Sequence, residues 1–553
     1  MNRFLFVCTL AAAPLCAQFD TELQSTVNQS NLLEVPSLRN PKSWYNQHFK
    51  PQFPRVEMMG PARLNDFLSD GKLELSLKNY LELVLLNNTD IQIQKLGIEP
   101  QRNAITRALA PFDPTLTGAF RPTRNTQLPN QTFQGGLEIV TSNLPFALGY
   151  TQTLQTGTQV VANYNFGRNA QNANNNTFNP TISSTLQVNF TQPLLRNRGR
   201  ANQLIPVLLA QTRLKGSEYS VEDQVQRAVQ TAELAYWQVI QAREALKVQE
   251  ASLATQEQFL KRSQRELELG AISPLDIYQP QQTYASQEVQ VAQARYNLIQ
   301  AEDSLRRQMG ADLDPAFAGV PIVLTETVLP PSDETLFDRE ALVATAYRRR
   351  PDLKSTTNNL AVDELTIRQT RNTLMPDVAL TGNYQGNGRA GVRNATQFAP
   401  GATFPTVNAL VDMLGRSPSY GGGITMTFAV RDSRATADLA DATVNRRLDT
   451  LRVRQLQQNI RLEVLNAVTQ VESSRASVKL AQVAMDFSQK RLEAEQKKYD
   501  LGVSTIFFLL DAQTQLTNAQ ANVVTQSVQY RRNLLTLLRV TGQLLEERNI
   551  QVK

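Results

Sequence analysis

Apolar residues recur at every seventh position in four long stretches of the chain. Two stretches precede Gly270 and Gly502, two follow them, and a second glycine, Gly310 or Gly542, stands at the same distance after each turn glycine. A sustained seven-residue period is typical of long helices that pack side by side with a left-handed twist. The sequence therefore predicts two helical hairpins, the second a copy of the first. The repeated positions are Val225, Ala232, Val239, Leu246, Leu253, Leu260, Leu267, Ile277, Tyr284, Val291, Leu298 and Leu305 in the first hairpin, and Val464, Val471, Val478, Met485, Leu492, Tyr499, Leu509, Leu516, Val523, Tyr530 and Leu537 in the second.

Outside the hairpins the period changes from seven to two. Apolar side chains alternate with small or polar ones, as Leu186, Val188 and Phe190 do, and this alternation predicts strands with one apolar face. Before the strands, equivalent positions of the two halves are farther apart in the sequence than they are after the strands. The first half of the chain is therefore longer than the second in this region. Residues 148–166, around Thr156 and Gly157, are the candidates for one extra hairpin.

The elements follow the same order in both halves, and the chain therefore divides into two repeats. The predicted segments are a signal peptide (1–17), an extended arm (18–72), repeat 1 (73–310, with a helix, strands 113–124 and 183–192 and helical hairpin 218–309), a linker (311–338), repeat 2 (339–545, with a helix, strands 377–386 and 421–430 and helical hairpin 440–541) and a tail (546–553). The opening helices are residues 73–109 and 340–374, and Pro351 marks a helix start or break in the second. The signal assignment follows from a basic residue, an apolar run and small residues near Ala17. Cys16 leaves open a lipidated N-terminus.

Composition narrows the classes of function. The net charge of +6 comes from 56 basic and 50 acidic residues that are interspersed along helices, so it does not favour nucleic acid. Cys8 and Cys16 lie in the signal segment, and His48 is the single histidine, which leaves no metal cluster and no nucleophile and base spaced for catalysis. Residues 386–391 have the letters of a dinucleotide fingerprint, but no helix pattern follows them. We therefore expect no enzyme, no cofactor and no metal.

Alternating strands with long polar loops in a secreted chain are typical of outer-membrane barrel walls, although a soluble sheet capping a coiled coil is the alternative. One chain offers four strands, or six with the extra hairpin, while bacterial barrels begin at about eight. An open sheet edge in hydrocarbon costs several kcal/mol for each unpaired backbone group. If these strands enter a membrane, several chains therefore share one barrel.

The chain resembles the TolC-type outer-membrane efflux protein family, the outer membrane factors of tripartite efflux pumps and type I secretion. The resemblance covers residues 73–545 and depends on the duplicated order of elements and on short motifs, namely Asn88-Thr89-Asp90, Arg350-Pro351-Asp352, Thr191-Gln192-Pro193-Leu194, Leu269-Gly270-Ala271-Ile272-Ser273 and Leu501-Gly502-Val503-Ser504-Thr505. It implies a mainly α fold with an internal two-fold structural repeat. A long coiled-coil α-helical barrel in the periplasm would continue into a 12-stranded β-barrel in the outer membrane, shared by a homotrimer.

The resemblance also implies a function and its partners. The chain would be a passive exit duct that takes substrates from an inner-membrane RND or ABC-type transporter and a periplasmic adaptor (membrane fusion) protein to the exterior. The expected adaptor contacts are the hairpin tips, Gly270, Ala271, Ile272, Ser273, Gly502, Val503, Ser504 and Thr505. The glycines equally serve a tight reversal of the chain, which leaves the hydroxyl residues after them unexplained.

In the family the same tips close the tunnel through carboxylates and a Tyr and Arg network after the second turn. Phe508 stands where a second carboxylate is often found and Ser504 where an arginine is found, so we expect a more apolar closure. The expected constriction consists of Tyr499, Phe507, Phe508, Asp511 and Asp276, and solvated helix residues are the simpler reading of each. Three Asp511 side chains at the axis would favour cations.

Two other classes of protein fit parts of the pattern. A structural coiled-coil or surface-adhesion protein would have its strands in a soluble head. A stand-alone diffusion porin leaves the helical ladders unexplained. A detergent-extracted, heat-modifiable trimer would favour the duct, and a soluble periplasmic product would favour the rod.

Overall fold

The computed structural model describes residues 42, 45, 46, 49, 50, 63–69, 71–128, 138–172, 178–270, 272–312, 317, 319–327, 337–393 and 418–550. The predicted signal segment, most of the predicted arm and Ala271 lie outside these residues. The chain divides into two compact units. One contains residues 100–214 and 359–449 and carries the larger sheet; the other contains residues 32–99, 215–358 and 450–553 and carries most of both helical hairpins.

Helices make up most of the described chain. In chain order they are α1 (Leu77–Asn87), α2 (Thr89–Leu96), α3 (Glu99–Leu109), α4 (Arg200–Gln203), α5 (Ile205–Glu268), α6 (Tyr278–Gln308), α7 (Arg339–Arg349), α8 (Pro351–Thr373), α9 (Ser433–Asp500), α10 (Ile506–Val540) and α11 (Leu544–Glu547). The pairs α5–α6 and α9–α10 are the two predicted hairpins. Within the described residues, no helix combines the length and the apolar character needed to cross a bilayer.

The seven-residue positions lie on the packed sides of the hairpins, as predicted. Every one of them is buried or half-buried, and Val225, Val239, Val464 and Leu509 are at most 1% exposed. The helices begin earlier than the period indicates, at Ile205 instead of 218 and at Ser433 instead of 440. The added first turns of α5 have buried apolar residues of their own, Ile205, Val207 and Leu214, and a proline in the first turn is compatible with the start of a helix.

The helix predicted from residue 73 is divided into α1, α2 and α3. Asn88 ends α1 and caps α2, since its side-chain oxygen accepts from the backbone N–H groups of Asp90 at 3.0 Å and Ile91 at 3.2 Å. In the second repeat the break falls between α7 and α8 at Arg350, whose ψ of 122° lies in the range favoured before a proline. The break at Pro351 was predicted.

A small sheet lies against the helices of the hairpin unit. It contains β1 (Leu68–Ser69), β2 (Lys72–Leu75) and, parallel to β2, β8 (Ile322–Leu324), so the predicted linker supplies a strand. Tyr236 is fully buried beneath it and donates to the Leu75 carbonyl at 3.2 Å. The predicted tail is also held, because Arg548 bonds both oxygens of the buried Glu233 at 2.6 and 3.0 Å.

The larger sheet is an antiparallel meander. Its strands are β3 (Thr115–Phe120), β4 (Thr123–Gln127), β5 (Ile139–Thr153), β6 (Gln159–Gln171), β7 (Phe178–Pro193), β9 (Asp377–Arg393) and β10 (Pro418–Thr427). The order across the sheet is β10-β9-β7-β6-β5-β3, and β4 pairs with β5 beside β3. The predicted extra hairpin is therefore β5 and β6, and it is longer than residues 148–166. β7 and β9 also extend beyond the predicted strands.

Candidate functional site

The two hairpins close on the helices that precede them through equivalent contacts. Gly310 and Gly542 both have positive φ, 66° and 73°, which favours glycine. A Cβ added at Gly310 would lie 3.1 Å from the Asn87 carbonyl oxygen, and one at Gly542 would lie 3.2 Å from the Arg350 nitrogen. Each closing glycine therefore lets the hairpin approach the bend between two short helices.

Side chains at these bends reinforce the contact. Asn88 donates to the Gln308 carbonyl at 3.0 Å, two residues before Gly310. Arg350, 8% exposed, bonds both oxygens of Asp352 at 2.6 and 3.0 Å and one oxygen of Glu463 at 2.6 Å. Removal of one partner from a buried ion pair is strongly destabilising, because it leaves the other charge buried without compensation. The motifs Asn88-Thr89-Asp90 and Arg350-Pro351-Asp352 thus fix the open ends of the hairpins.

The first turn joins α5 to α6. Gly270 has φ 69° with nothing within 4 Å of an added Cβ, so its glycine serves the reversal of the chain. The Asp276 carboxylate accepts from the Ser273 backbone N–H at 3.2 Å, and the Ser273 hydroxyl accepts from the Leu275 N–H at 3.3 Å. The hydroxyl and the carboxylate after this glycine therefore hold the turn itself.

The second turn joins α9 to α10 and has a similar construction. Gly502 has φ 73° in open space, and its N–H donates to the Tyr499 carbonyl at 2.9 Å. The Ser504 hydroxyl donates to Glu495 at 3.0 Å, and Glu495 also accepts from Lys498 at 2.7 Å. The Lys498 hydrogen bond, followed by that of Ser504, lowers the pKa of Glu495.

A polar network connects the two hairpins just behind their turns. Tyr499 on α9 donates its hydroxyl to Glu266 on α5 at 2.7 Å. Arg262, one turn before Glu266, bonds Glu266 at 2.9 Å and Asp500 at 2.9 Å, and its guanidinium lies 4.9 Å from the centre of the Tyr499 ring. These contacts join the two hairpins of one chain within about two helical turns of the tips.

Titration behaviour follows from this network. Burial, and then the hydrogen bond to the Glu266 carboxylate, raises the pKa of Tyr499 to about 12, so its hydroxyl stays a donor at neutral pH. The hydrogen bond from Arg262 lowers the pKa of Asp500, which keeps that carboxylate ionised. The network is therefore fully formed at neutral pH.

The remaining residues of the predicted constriction lie on α10. Asp511 is paired with Arg491 of α9 at 2.9 Å, and both side chains are partly exposed. Phe507 and Phe508 are 55% and 52% exposed, and their rings meet edge to face with centroids 5.5 Å apart. The structure thus separates the predicted group, because Tyr499 bonds the first hairpin whereas Asp511 bonds its own.

Three residues of the network were not identified from the sequence, namely Arg262, Glu266 and Asp500. Charged residues are frequent on these helices, and the only local signal was the four-residue spacing of Arg262 and Glu266 directly before the first turn. Across the described residues, no group of histidine, cysteine, aspartate or glutamate is arranged to hold a metal ion.

Large apolar side chains are exposed at both turns. They are Leu269 and Leu275 at the first turn and Leu501, Val503, Phe507 and Phe508 at the second, and the exposed fractions of Leu501 and Val503 are 79% and 78%. Exposed apolar groups clustered among polar ones are typical of a protein contact surface.

Comparison with known proteins finds a matching family, relatives in sequence and solved structures of similar fold. The sequence model of the family described as "Outer membrane efflux protein" matches residues 159–311 and 342–543, one segment in each repeat. The chain is 22% identical to the outer membrane efflux protein BepC of Brucella suis over 79% of this chain and 87% of BepC, and 21% identical to the outer membrane protein TolC of Vibrio cholerae over 70% and 82%. Its fold is similar to that of the CmeC outer membrane channel of Campylobacter jejuni, with a TM-score of 0.60, 14% identity and coverage of 91% and 94%.

Proposed function

Because this chain belongs to the outer membrane efflux protein family, we propose that it is the exit duct of a tripartite efflux or type I secretion system. Three copies form one duct in the outer membrane. It passively conducts substrates that an inner-membrane RND or ABC-type transporter delivers with a periplasmic adaptor. The observation that carries this proposal is that one chain leaves uncovered those surfaces that identical copies would cover.

The hairpin helices supply part of this observation. Val289 and Tyr296, seven residues apart on α6, are each 65% exposed, and Leu480, Val483 and Phe487 form a further exposed apolar row on α9. The spacings of three, four and seven residues put each row on one helix face. These faces lie outside the buried ladders, as expected of helices that have a neighbour on each side in a closed ring.

The sheet supports the same reading. In the described residues, β10 pairs only with β9, and β3 and β4 both pair with β5, so the meander has two open edges. Open edges in hydrocarbon are excluded by the cost of unpaired backbone groups. Pairing of one chain's β10 with the next chain's β3 and β4 would remove all edges.

The hairpin tips have two roles, contact with the adaptor and closure of the periplasmic entrance. Their exposed apolar residues, Leu501 and Val503 above all, form the adaptor contact, while Gly270 and Gly502 permit the reversals that present them. The Tyr499, Glu266 and Arg262 contacts hold neighbouring hairpins together and thereby narrow the periplasmic entrance. Phe507 and Phe508 supply the apolar part of this closure.

Reconstitution tests the duct directly. We expect the full-length protein to require detergent for extraction, to have the mass of a trimer by native mass spectrometry, and to form ion-conducting channels in planar bilayers. A water-soluble product without channel activity would instead support the structural coiled-coil protein.

The adaptor contact is tested at Val503. In a strain lacking the chromosomal gene, Val503→Asp should fail to restore resistance to exported compounds while still forming trimers. Val503→Ile, which keeps an apolar side chain at the same position, is the matched control and should restore it. Equal complementation by both variants would remove Val503 from the contact.

A further inference from the structure

The first repeat contributes more strands to the larger sheet than the second repeat does. Between its helices the second repeat has β9 and β10, whereas the first has β3 and β4 in one position across the sheet, then β5, β6 and β7. The surplus is the hairpin of β5, with 15 residues, and β6, with 13. Both are longer than a tilted strand needs to be to cross a bilayer, which is about ten residues. The described sheet is therefore six strands wide in each chain.

The β5–β6 hairpin pairs in register with the strands on both sides, so its side chains lie on the same two faces of the sheet as theirs. One transverse row runs Leu116, Tyr150, Ala162, Val188, Tyr384 and Tyr420 across all six positions. The adjacent row runs Thr117, Gly149, Asn163, Gln187, Gln385 and Ser419. Directly paired residues point to the same face, and neighbouring residues along a strand to opposite faces. The sheet thus has one apolar face and one small or polar face across its whole width.

The turn of this hairpin is packed against the end of the neighbouring strand. Gly157 has φ 89°, and a Cβ added there would lie 2.8 Å from the Asn197 carbonyl oxygen and 2.9 Å from the Pro193 ring. The Gly199 N–H donates to the Thr156 carbonyl at 3.1 Å. Because β7 leads through this segment into α5, the hairpin is built into the junction of strand and helix.

From these observations we propose that all six positions line the membrane wall, so that three chains close a barrel of 18 strands instead of 12. The inference rests on the proposed trimeric duct. Barrel diameter grows roughly linearly with strand number, so the barrel would be about 1.5 times as wide. With a strand spacing of about 4.8 Å and a tilt of about 40°, the radius becomes about 18 Å instead of about 12 Å.

Spin labels test the position of the hairpin in proteoliposomes. Tyr164 of β6 pairs directly with Leu186 of β7, and Asn163 pairs with Gln187. A nitroxide is attached to a single cysteine at each of these four positions. Collisions of the nitroxide with oxygen indicate that it faces lipid, and collisions with a nickel chelate indicate that it faces water. The parent protein without an added cysteine gives the background. We expect Y164C and L186C to report lipid equally, and N163C and Q187C to report water.

The control strand separates the two possible failures. If L186C reports lipid but Y164C reports water, β6 lies outside the wall and the 18-stranded barrel is refuted, while the duct stands. If L186C also reports water, the proposed outer-membrane duct itself fails. Strand counting by electron cryo-microscopy of the wild-type trimer needs no variant, and a wall of 12 strands overturns the inference.

Discussion

Tyr499→Phe removes one defined contact between the two hairpins. The phenylalanine keeps the ring beside Arg262 and loses only the hydroxyl that bonds Glu266 at 2.7 Å. Glu266 retains the hydrogen bond from Arg262 at 2.9 Å, so no carboxylate is left without a partner. The variant therefore reports on the hydrogen bond alone.

The size of the effect follows from the acceptor charge and the exposure. A hydrogen bond to a charged group contributes about 1.5–3 kcal/mol, and the half-buried position of Tyr499 favours the lower end. About 1.4 kcal/mol corresponds to a factor of ten in an equilibrium constant. If this contact holds the entrance closed, opening should become about tenfold more favourable in each protomer.

Planar-bilayer recording at neutral pH measures the resting conductance, which we expect to rise in Tyr499→Phe. Susceptibility to large antibiotics, at equal expression, should rise with it. Tyr278→Phe is the matched control, because this tyrosine follows the first turn and its side chain is 64% exposed. A resting conductance equal to that of the wild type, or an equal rise in the control, would refute the role of the hydroxyl.

Four further expectations follow. Asp511→Ala should reduce the cation preference of the channel, and unchanged selectivity in bilayers would place Asp511 outside the pore. Phe508→Ala should raise the resting conductance by removing apolar closure, as checked in the same recordings. Gly542→Ala should lower the melting temperature in detergent more than Gly502→Ala, since both have φ 73° but only Gly542 has backbone within 3.2 Å of an added Cβ. The hydrogen bond from Arg262 lowers the pKa of Asp500 from its ordinary value of 3.8, so this contact is fully present above pH 3.8 and is lost only as the pH falls through the lowered pKa; resting conductance should therefore rise at a pH below 3.8, as checked in the same recordings.

The helical hairpins were predictable because their packing is periodic. A residue such as Val239 or Val464 is buried for the same reason as the residue seven positions away, so the pattern specifies both the element and its packed face. The strands were less well predicted at their ends. In β9 the alternation weakens after Tyr384, where Gly386 and Gly388 take the apolar positions, yet pairing with β7 continues to Arg393. Backbone hydrogen bonds need no apolar side chain.

The candidate site was only partly predictable, for a physical reason. Tyr499 was identified by its place in the second hairpin, but its partners Glu266 and Arg262 belong to the first hairpin and are remote from it in the sequence. Their side chains resemble those of any solvated helix, and only the folded arrangement selects them. Asp276 illustrates the converse, because its carboxylate accepts from the backbone of its own turn and has a local task that the sequence did not indicate.

The two repeats have kept the same helical hairpin and changed the sheet, and the contacts explain this difference. Gly310 and Gly542 pack against the bends before α2 and α8, so an insertion within either hairpin would displace its tip from the network of Tyr499 and Arg262. A meander tolerates insertion of two antiparallel strands, because the direction of the flanking strands is restored after the second. Two added strands per chain therefore widen the sheet while leaving the connection from β7 to α5 unchanged. One added strand would reverse that connection, so only an even surplus is compatible with the helical end.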